Sequence, residues 1–215
     1  MYLIDLSHEI VENMPVYPGD DSVRLGQTHK YSKDHYNNHW LETGMHVGTH
    51  VDGAMHMTDV CEYICNYPLE KFYGSACVIH TYGKSVLEAE SSHTEVLKDK
   101  SIVLVHTGMD RFYGQETYYK DHPVLGMSFC EMLVNHGIKL VGIDAPSPDR
   151  LPFEIHKYLL GNNILLLENL TNMDKIPAAV DFEVMAFPLK IRADSCMVRA
   201  VAKVMDKNNF SRGDY

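Results

Sequence analysis

Short apolar runs along the chain alternate with polar, turn-forming segments. Tyr2–Ser7 opens the series. Ser75–Thr81, Ser101–Thr107, Lys139–Asp144 and Asn163–Glu168 are rich in leucine and β-branched residues with turn formers nearby, the pattern of buried strands. Asp181–Pro188 and Met197–Val204 read as two late strands. Helical patches lie between them. Ser128-Phe129-Cys130-Glu131 has the spacing of a capping box, and Gly137 stands where that helix should stop; Phe153–Leu160 also looks helical, with Gly161 as its stop. This order, strand–helix–strand–helix–strand with strands added at both ends, predicts an α/β domain with a mixed β-sheet.

A chain of 215 residues is most simply one domain. We place it at residues 1–206, followed by a polar tail, 207–215, expected to fray. A net charge of −10 argues against nucleic acid or an acidic membrane surface as partner, because both reward clustered Lys and Arg. The longest apolar runs, Ile164–Leu167 and Ile102–Val105, fall far short of the roughly 20 residues a membrane span needs. The first residues carry acidic groups and no basic-then-apolar leader, so the expected location is cytoplasmic. Five scattered cysteines make a poor disulfide framework. Cys61 and Cys65 have ligand-like spacing but no second pair, which favours packed or surface thiols.

The unusual feature is histidine: thirteen in all, four of them between His39 and His56. Histidine is the commonest metal ligand and the natural acid/base group near neutral pH. In HVGTHVDGAMH, His46, His50, Asp52 and His56 would share one face of a straight strand. At a rise of roughly 3.3 Å per residue, however, His46 and His50 would stand about 13 Å apart, too far to share an ion with bonds of about 2.1 Å. The chain must bend, and Gly48 is the residue best able to supply the bend. A strand entering a sharp bend then lets His50 and Asp52 project together, although an HxxxH pattern alone is a weak signal. In a second segment, His156 sits on the expected helix and Glu168 ends the apolar run Leu165-Leu166-Leu167. A carboxylate buried there needs a cation, an arginine or a helix end to offset its desolvation. Asp144 and Asp149, in GIDAPSPD, also lie beyond a strand end, where aspartates commonly accept hydrogen bonds from loop amides.

These residues resemble a known family. HVGTHVDGAMH is similar to the H-x-G-T-H-x-D-x-P-x-H signature of the cyclase family of metal-dependent hydrolases, which includes bacterial kynurenine formamidase and isatin hydrolase. DLSHEIVENMPVYPGD, HTGMDRFYG, GIDAPSPD, HKYLLGNNILLLENLTN and PLKIRADSCMVRA have counterparts in the same order, so the likeness covers roughly Ile4 to Ala202. It implies a swivelling β/β/α fold, usually dimeric or larger. It implies that His46, His50 and Asp52 hold a first metal, with His156 and Glu168 completing a binuclear zinc site, and that a single manganese on His46, His50 and Asp52 is the alternative. It also implies that His56 transfers protons and that Tyr17 holds substrate. The chain departs from the pattern at Ala54, where proline is usual, at Tyr17, where tryptophan is frequent, and across Asp194-Ser195-Cys196-Met197-Val198-Arg199, which replaces D-G-S-P-V-R. Such changes spare the ligands but reshape pocket loops.

The expected chemistry is hydrolysis of a C–N amide bond, in an arylformamide such as N-formylkynurenine or in a cyclic amide, by a water activated on a divalent metal. Two rivals are a cyclase or dehydratase using the same Lewis acid, and a metal-binding domain without catalysis. A closed shell of four protein ligands would mark the second of these. No G-x-S-x-G elbow is present, which argues against a serine hydrolase.

Overall fold

The computed structural model describes residues 1–205; the domain end at 206 and the polar tail 207–215 lie outside the described residues. Thirteen strands are present among them: β1 Tyr2–Asp5, β2 Arg24–His29, β3 Asn38–Glu42, β4 His50–Asp52, β5 Tyr73–His80, β6 Val86–Leu87, β7 Ile102–His106, β8 Val124–Leu125, β9 Leu140–Ile143, β10 Leu165–Glu168, β11 Phe182–Met185, β12 Ser195–Met197 and β13 Val201–Val204. The α-helices are α1 Tyr31–Asp34, α2 Ser91–Leu97, α3 Glu116–Lys120, α4 Met127–Asn135 and α5 Glu154–Gly161. Nine strands form one mixed sheet in the order β1-β13-β11-β5-β7-β9-β10-β4-β12. β5, β7, β9 and β10 run parallel at its centre, and antiparallel strands flank them on both sides.

The central strands read as continuous apolar runs because both of their faces are covered. Ile102 and Leu104 of β7 point into one core with Leu165 and Leu167 of β10 and with Ile4, Val51 and Val184. Val103 and Val105, with Leu166, point into the opposite core, which α4 and α5 close with Phe129, Leu133 and Leu159. Period-two alternation thus sorts each strand between two apolar layers.

The predicted late strand Met197–Val204 is in fact two, β12 and β13, which sit seven places apart in the sheet. Flat strands spaced about 4.8 Å would put them roughly 34 Å apart, whereas the four steps from Met197 to Val201 reach only about 14 Å. The sheet therefore curls until its ends approach. Leu6 N donates to Ala200 O at 2.9 Å and Val198 N to Thr49 O at 3.0 Å across the gap. The expected capping box at Ser128 does not form. Gly126 is the N-cap, and the Ser128 hydroxyl instead accepts a hydrogen bond from Ala89 N at 3.0 Å. Gly137, in the left-handed region, follows the end of α4, as read from the sequence.

Candidate metal centre

The bend foreseen at Gly48 exists, with φ at +57°, a conformation glycine adopts without strain. It is pinned from outside. Asn169, just beyond β10, donates from Nδ2 to Gly48 O at 3.0 Å, and the Thr49 hydroxyl donates to Asn169 O at 2.6 Å. The bend brings the His46 and His50 rings to 5.1 Å between centroids. β4 then pairs antiparallel with β10, so that His50 stands opposite Glu168, while β12 sets Ser195 opposite Asp52. Pairing the bend with the end of β10 is what joins the two sequence segments.

His50 donates from Nδ1 to Gly48 O at 2.9 Å, which leaves its Nε2 lone pair facing inward. That Nε2 lies 3.4 Å from Asp52 Oδ1 and 3.4 Å from Glu168 Oε2. His156 is fixed in the same manner. It donates from Nδ1 to Asp149 Oδ1 at 2.5 Å and presents Nε2 to Glu168 Oε1 at 3.2 Å. His50 Nε2, both oxygens of Asp52 and Glu168 Oε1 are buried without a hydrogen-bond partner. Four such atoms, one imidazole nitrogen and three carboxylate oxygens, fit a divalent cation, since leaving each unpaired costs about 1–3 kcal/mol. The donors fall into two groups that share Asp52: His46, Asp52 and His56, and His50, Asp52 and Glu168. His156 joins the second group through Glu168.

Electrostatics agree. Burial disfavours a charge on His46, but Asp52 and Asp194 outweigh it and push its pKa up to about 10. Burial likewise opposes charge on His156, yet Asp149 and Glu168 raise it to about 10. Burial works against ionising Asp52 too, and the histidines around it still hold it well below the usual carboxylate range. Without a cation, the carboxylates draw protons onto the imidazoles; a bound cation displaces those protons. His56 differs. Burial, reinforced by His46 and His156, keeps it below the ordinary imidazole value against the pull of Asp52.

Two residues escaped the expectation for this site. Asp194 lies 148 positions from His46 in sequence, yet its Oδ2 accepts from His46 Nε2 at 2.8 Å and lies 3.4 Å from His56 Nδ1. Gly53 permits that approach: a Cβ there would stand 2.9 Å from Asp194 O. Asp149 does accept loop amides, as expected, but it does more. Its Oδ2 takes the N–H groups of Ile155 and His156 at 2.7 and 3.1 Å, anchoring the first turn of α5, while Oδ1 aims the His156 ring. Asp144 matches its expected role and accepts from Thr107 N, Thr107 Oγ1 and Gly108 N. Cys61 is exposed, Cys65 half-buried, and neither joins a metal-ligand cluster among the described residues.

The centre floors a pocket of about 160 Å³. Tyr17, Tyr113, Tyr119, Phe153 and Met57 wall it, with His46, His50, His56, His156 and Glu168 at the base. Tyr17 meets Tyr119 edge-on at 6.1 Å, both in the pocket wall. Among the described lining residues no Lys or Arg occurs; outside the centre, Asp20 carries the one formal charge. No helix among the described residues is long and apolar enough to cross a membrane.

The Cyclase family model ("Putative cyclase") matches residues 4–150. Kynurenine formamidase of Geobacillus thermodenitrificans is 29% identical over 208 residues, covering 94% of this chain and 97% of the relative. That of Bordetella avium is 30% identical over 209 residues, with 94% and 97% covered. Among solved structures, an isatin hydrolase bound to the product analogue thioisatinate superposes with a TM-score of 0.82 at 22% identity, covering 95% of this chain and 92% of the other. A "predicted metal-dependent hydrolase" from Bacillus stearothermophilus gives 0.75 at 22% identity, with 94% and 97% covered.

Proposed function

Because the chain belongs to the cyclase family of metal-dependent hydrolases, we propose that it hydrolyses the C–N bond of an aromatic amide, either an arylformamide or a cyclic amide, at the centre described above. The observation that carries this reading is the set of orphaned inward-facing atoms, His50 Nε2, Asp52 Oδ1 and Oδ2 and Glu168 Oε1, at the base of an aromatic-walled pocket. The ligands we assign are His46, His50, Asp52, His156 and Glu168, with Asp52 able to serve two ions. A nitrogen-and-oxygen donor set of this kind suits zinc first, with manganese second. A divalent ion held there supplies Lewis acidity, lowering the pKa of water toward about 7 and polarising the carbonyl of the scissile amide.

The chain's own residues do the rest. Asp194 faces His56 Nδ1 at 3.4 Å, which leaves the other ring nitrogen, Nε2, for the reacting atoms. A neutral His56 takes the proton of the attacking water at Nε2 and returns it to the departing nitrogen. Tyr17 and Tyr119 in the wall bracket an aromatic ring, and Phe153 closes the side nearest His156, its ring 5.7 Å away. No Lys or Arg is among the described lining residues, and Arg150, whose charge reaches Tyr17, is engaged with His122 O, so a carboxylate tail meets no direct cationic partner in the lining. A neutral aryl amide or isatin-like ring is therefore the favoured substrate class over a zwitterionic amino acid. A homodimer in the cytoplasm completes the proposal, supported by the family resemblance and by the exposed β2–β3 ribbon, in which every residue of β3 faces solvent.

Hydrolysis in ¹⁸O-labelled water tests this. Isatin, a simple formanilide and N-formylkynurenine are each offered to metal-replete and chelated protein, with product mass followed. One ¹⁸O in the ring-opened acid or in released formate, abolished by chelation, is the expected result. Unlabelled cyclised or dehydrated product would instead favour the cyclase reading. His56→Ala should keep its metal and lose roughly 10²–10⁴-fold in turnover.

A further inference from the structure

A second histidine cluster lies outside the pocket, at the carboxyl ends of the central parallel strands. β5 ends at His80 and β7 at His106, paired in register as neighbours, and Asp144 follows β9. The Nδ1 atoms of His80 and His106 face each other at 3.2 Å. Two lone-pair nitrogens cannot be left in that arrangement; a shared proton or a cation has to stand between them. Two ligand atoms each about 2.0–2.1 Å from a tetrahedral ion are roughly 3.3 Å apart, so the observed gap is that of a chelating pair.

Both rings are held from behind. Tyr82 stacks on His80 with centroids 4.6 Å apart and planes within 5°. His106 turns Nε2 toward the fully buried Asp144, 3.7 Å from its Oδ2. Asp144 is itself clamped by Thr107 and Gly108 at 2.7 Å, and it sits behind the ring at ion-pair rather than hydrogen-bond distance. A carboxylate behind a ligating histidine is the usual support of a metal-bound imidazole. Asp110 adds negative charge: its ligand atom lies within 4.8 Å of one from His106 and one from Asp144. Thr171 Oγ1 and Asn172 N anchor its Oδ2 at 3.1 and 3.3 Å, and Arg111 N donates to its Oδ1 at 2.9 Å, which leaves one lone pair on that oxygen. Burial, then His106, holds His80 below the usual imidazole pKa, which keeps its lone pair available.

We propose that His80 and His106 chelate a divalent transition metal of the zinc type at the carboxyl ends of β5 and β7, with Asp110 supplying charge and water filling the remaining positions. None of these side chains lines the hydrolytic pocket, so this ion is separate from the one assigned there. Half-exposed access and two imidazoles favour Zn²⁺, Co²⁺ or Ni²⁺ over Mg²⁺ or Ca²⁺.

The test counts ions. Metal-replete protein is dialysed against rising Zn²⁺, and bound zinc is measured for the unaltered chain, His80→Ala, His106→Ala and Glu168→Ala. Co²⁺ absorption serves as a second readout. The unaltered chain should take up one equivalent more than His80→Ala or His106→Ala, and Glu168→Ala should retain that equivalent. His80→Ala should turn over substrate at the unaltered rate. His80 is exposed, so that variant remains informative even where His106→Ala folds poorly. Equal zinc uptake and equal cobalt spectra in the unaltered chain and His80→Ala would overturn the site and leave a shared proton between the rings.

Discussion

Two carboxylates stand at the ends of neighbouring strands, one residue out of register: Asp144 just past the end of β9 and Glu168 at the end of β10. Both are buried, and they are satisfied in opposite ways. The oxygens of Asp144 receive two backbone N–H groups and a hydroxyl, each at 2.7 Å. Glu168 receives no such amide or hydroxyl and looks instead at His50 and His156. Burial raises the Asp144 pKa, and the hydrogen bonds of Thr107 and Gly108 only partly offset it. Burial also works against an ionised Glu168, yet the two histidines pull it below the ordinary value. Position at a strand end therefore does not make a functional group; what the neighbouring chain gives that group does. Where the loop after the neighbouring strand, here β7, turns its amides inward, the carboxylate becomes scaffold. Where the adjacent strand brings imidazoles, it is left with lone pairs for a cation.

The sharpest way to break this contrast is Glu168→Gln. It preserves shape but removes the charge that holds two imidazoles and a cation together. Metal content should fall to background and activity with it, measured on protein purified without added metal or chelator. Retention of the full metal load would move Glu168 into the same class as Asp144.

Asp149→Asn comes next. The amide oxygen can still accept from the amides of Ile155 and His156, so α5 keeps its first turn. The amide nitrogen, however, cannot accept the proton of His156 Nδ1, and the ring loses its orientation. Metal affinity should drop by roughly 10–100-fold, the usual scale for a residue supporting a metal ligand. Competition with a chromogenic chelator measures it, and circular dichroism on the same sample separates it from unfolding. An unchanged affinity would reduce Asp149 to a helix anchor.

Much of this contrast could be read along the chain, and the remainder has physical reasons for being hidden. His46, His50 and Asp52 with a bend at Gly48 follow from strand rise against metal–ligand bond length, both local quantities. Glu168 announces itself as a charge closing an apolar run. Asp194 gives no such sign, because its place beside His46 depends on β12 joining the far edge of a sheet that curls, and no local pattern encodes curl. The split of Met197–Val204 into β12 and β13 escaped for the same reason: the apolar residues continue while the chain crosses between sheet ends. The β2–β3 ribbon was missed because it buries almost nothing, so RLGQTH and NHWLE carry no in/out alternation to detect. At Ser128 the spacing of a capping box was present, but Gly126 begins the helix two residues earlier and the hydroxyl is committed to the 88–89 segment.

The mildest perturbation sharpens the comparison from the other side. Asp144→Asn keeps volume and one acceptor oxygen while replacing the other with an NH₂ group that meets donors already pointing at it. Leaving one buried donor unpaired costs about 1–3 kcal/mol. For a domain of this length, that is a melting temperature lower by roughly 2–4 °C per kcal/mol. The hydrolytic centre should keep its metal and its turnover, because none of its ligands touches Asp144. Differential scanning calorimetry alongside metal analysis reads both quantities on one preparation. A variant of normal stability that had lost metal from the pocket would mean that Asp144 acts on the centre after all, and that the two strand ends are coupled rather than opposed.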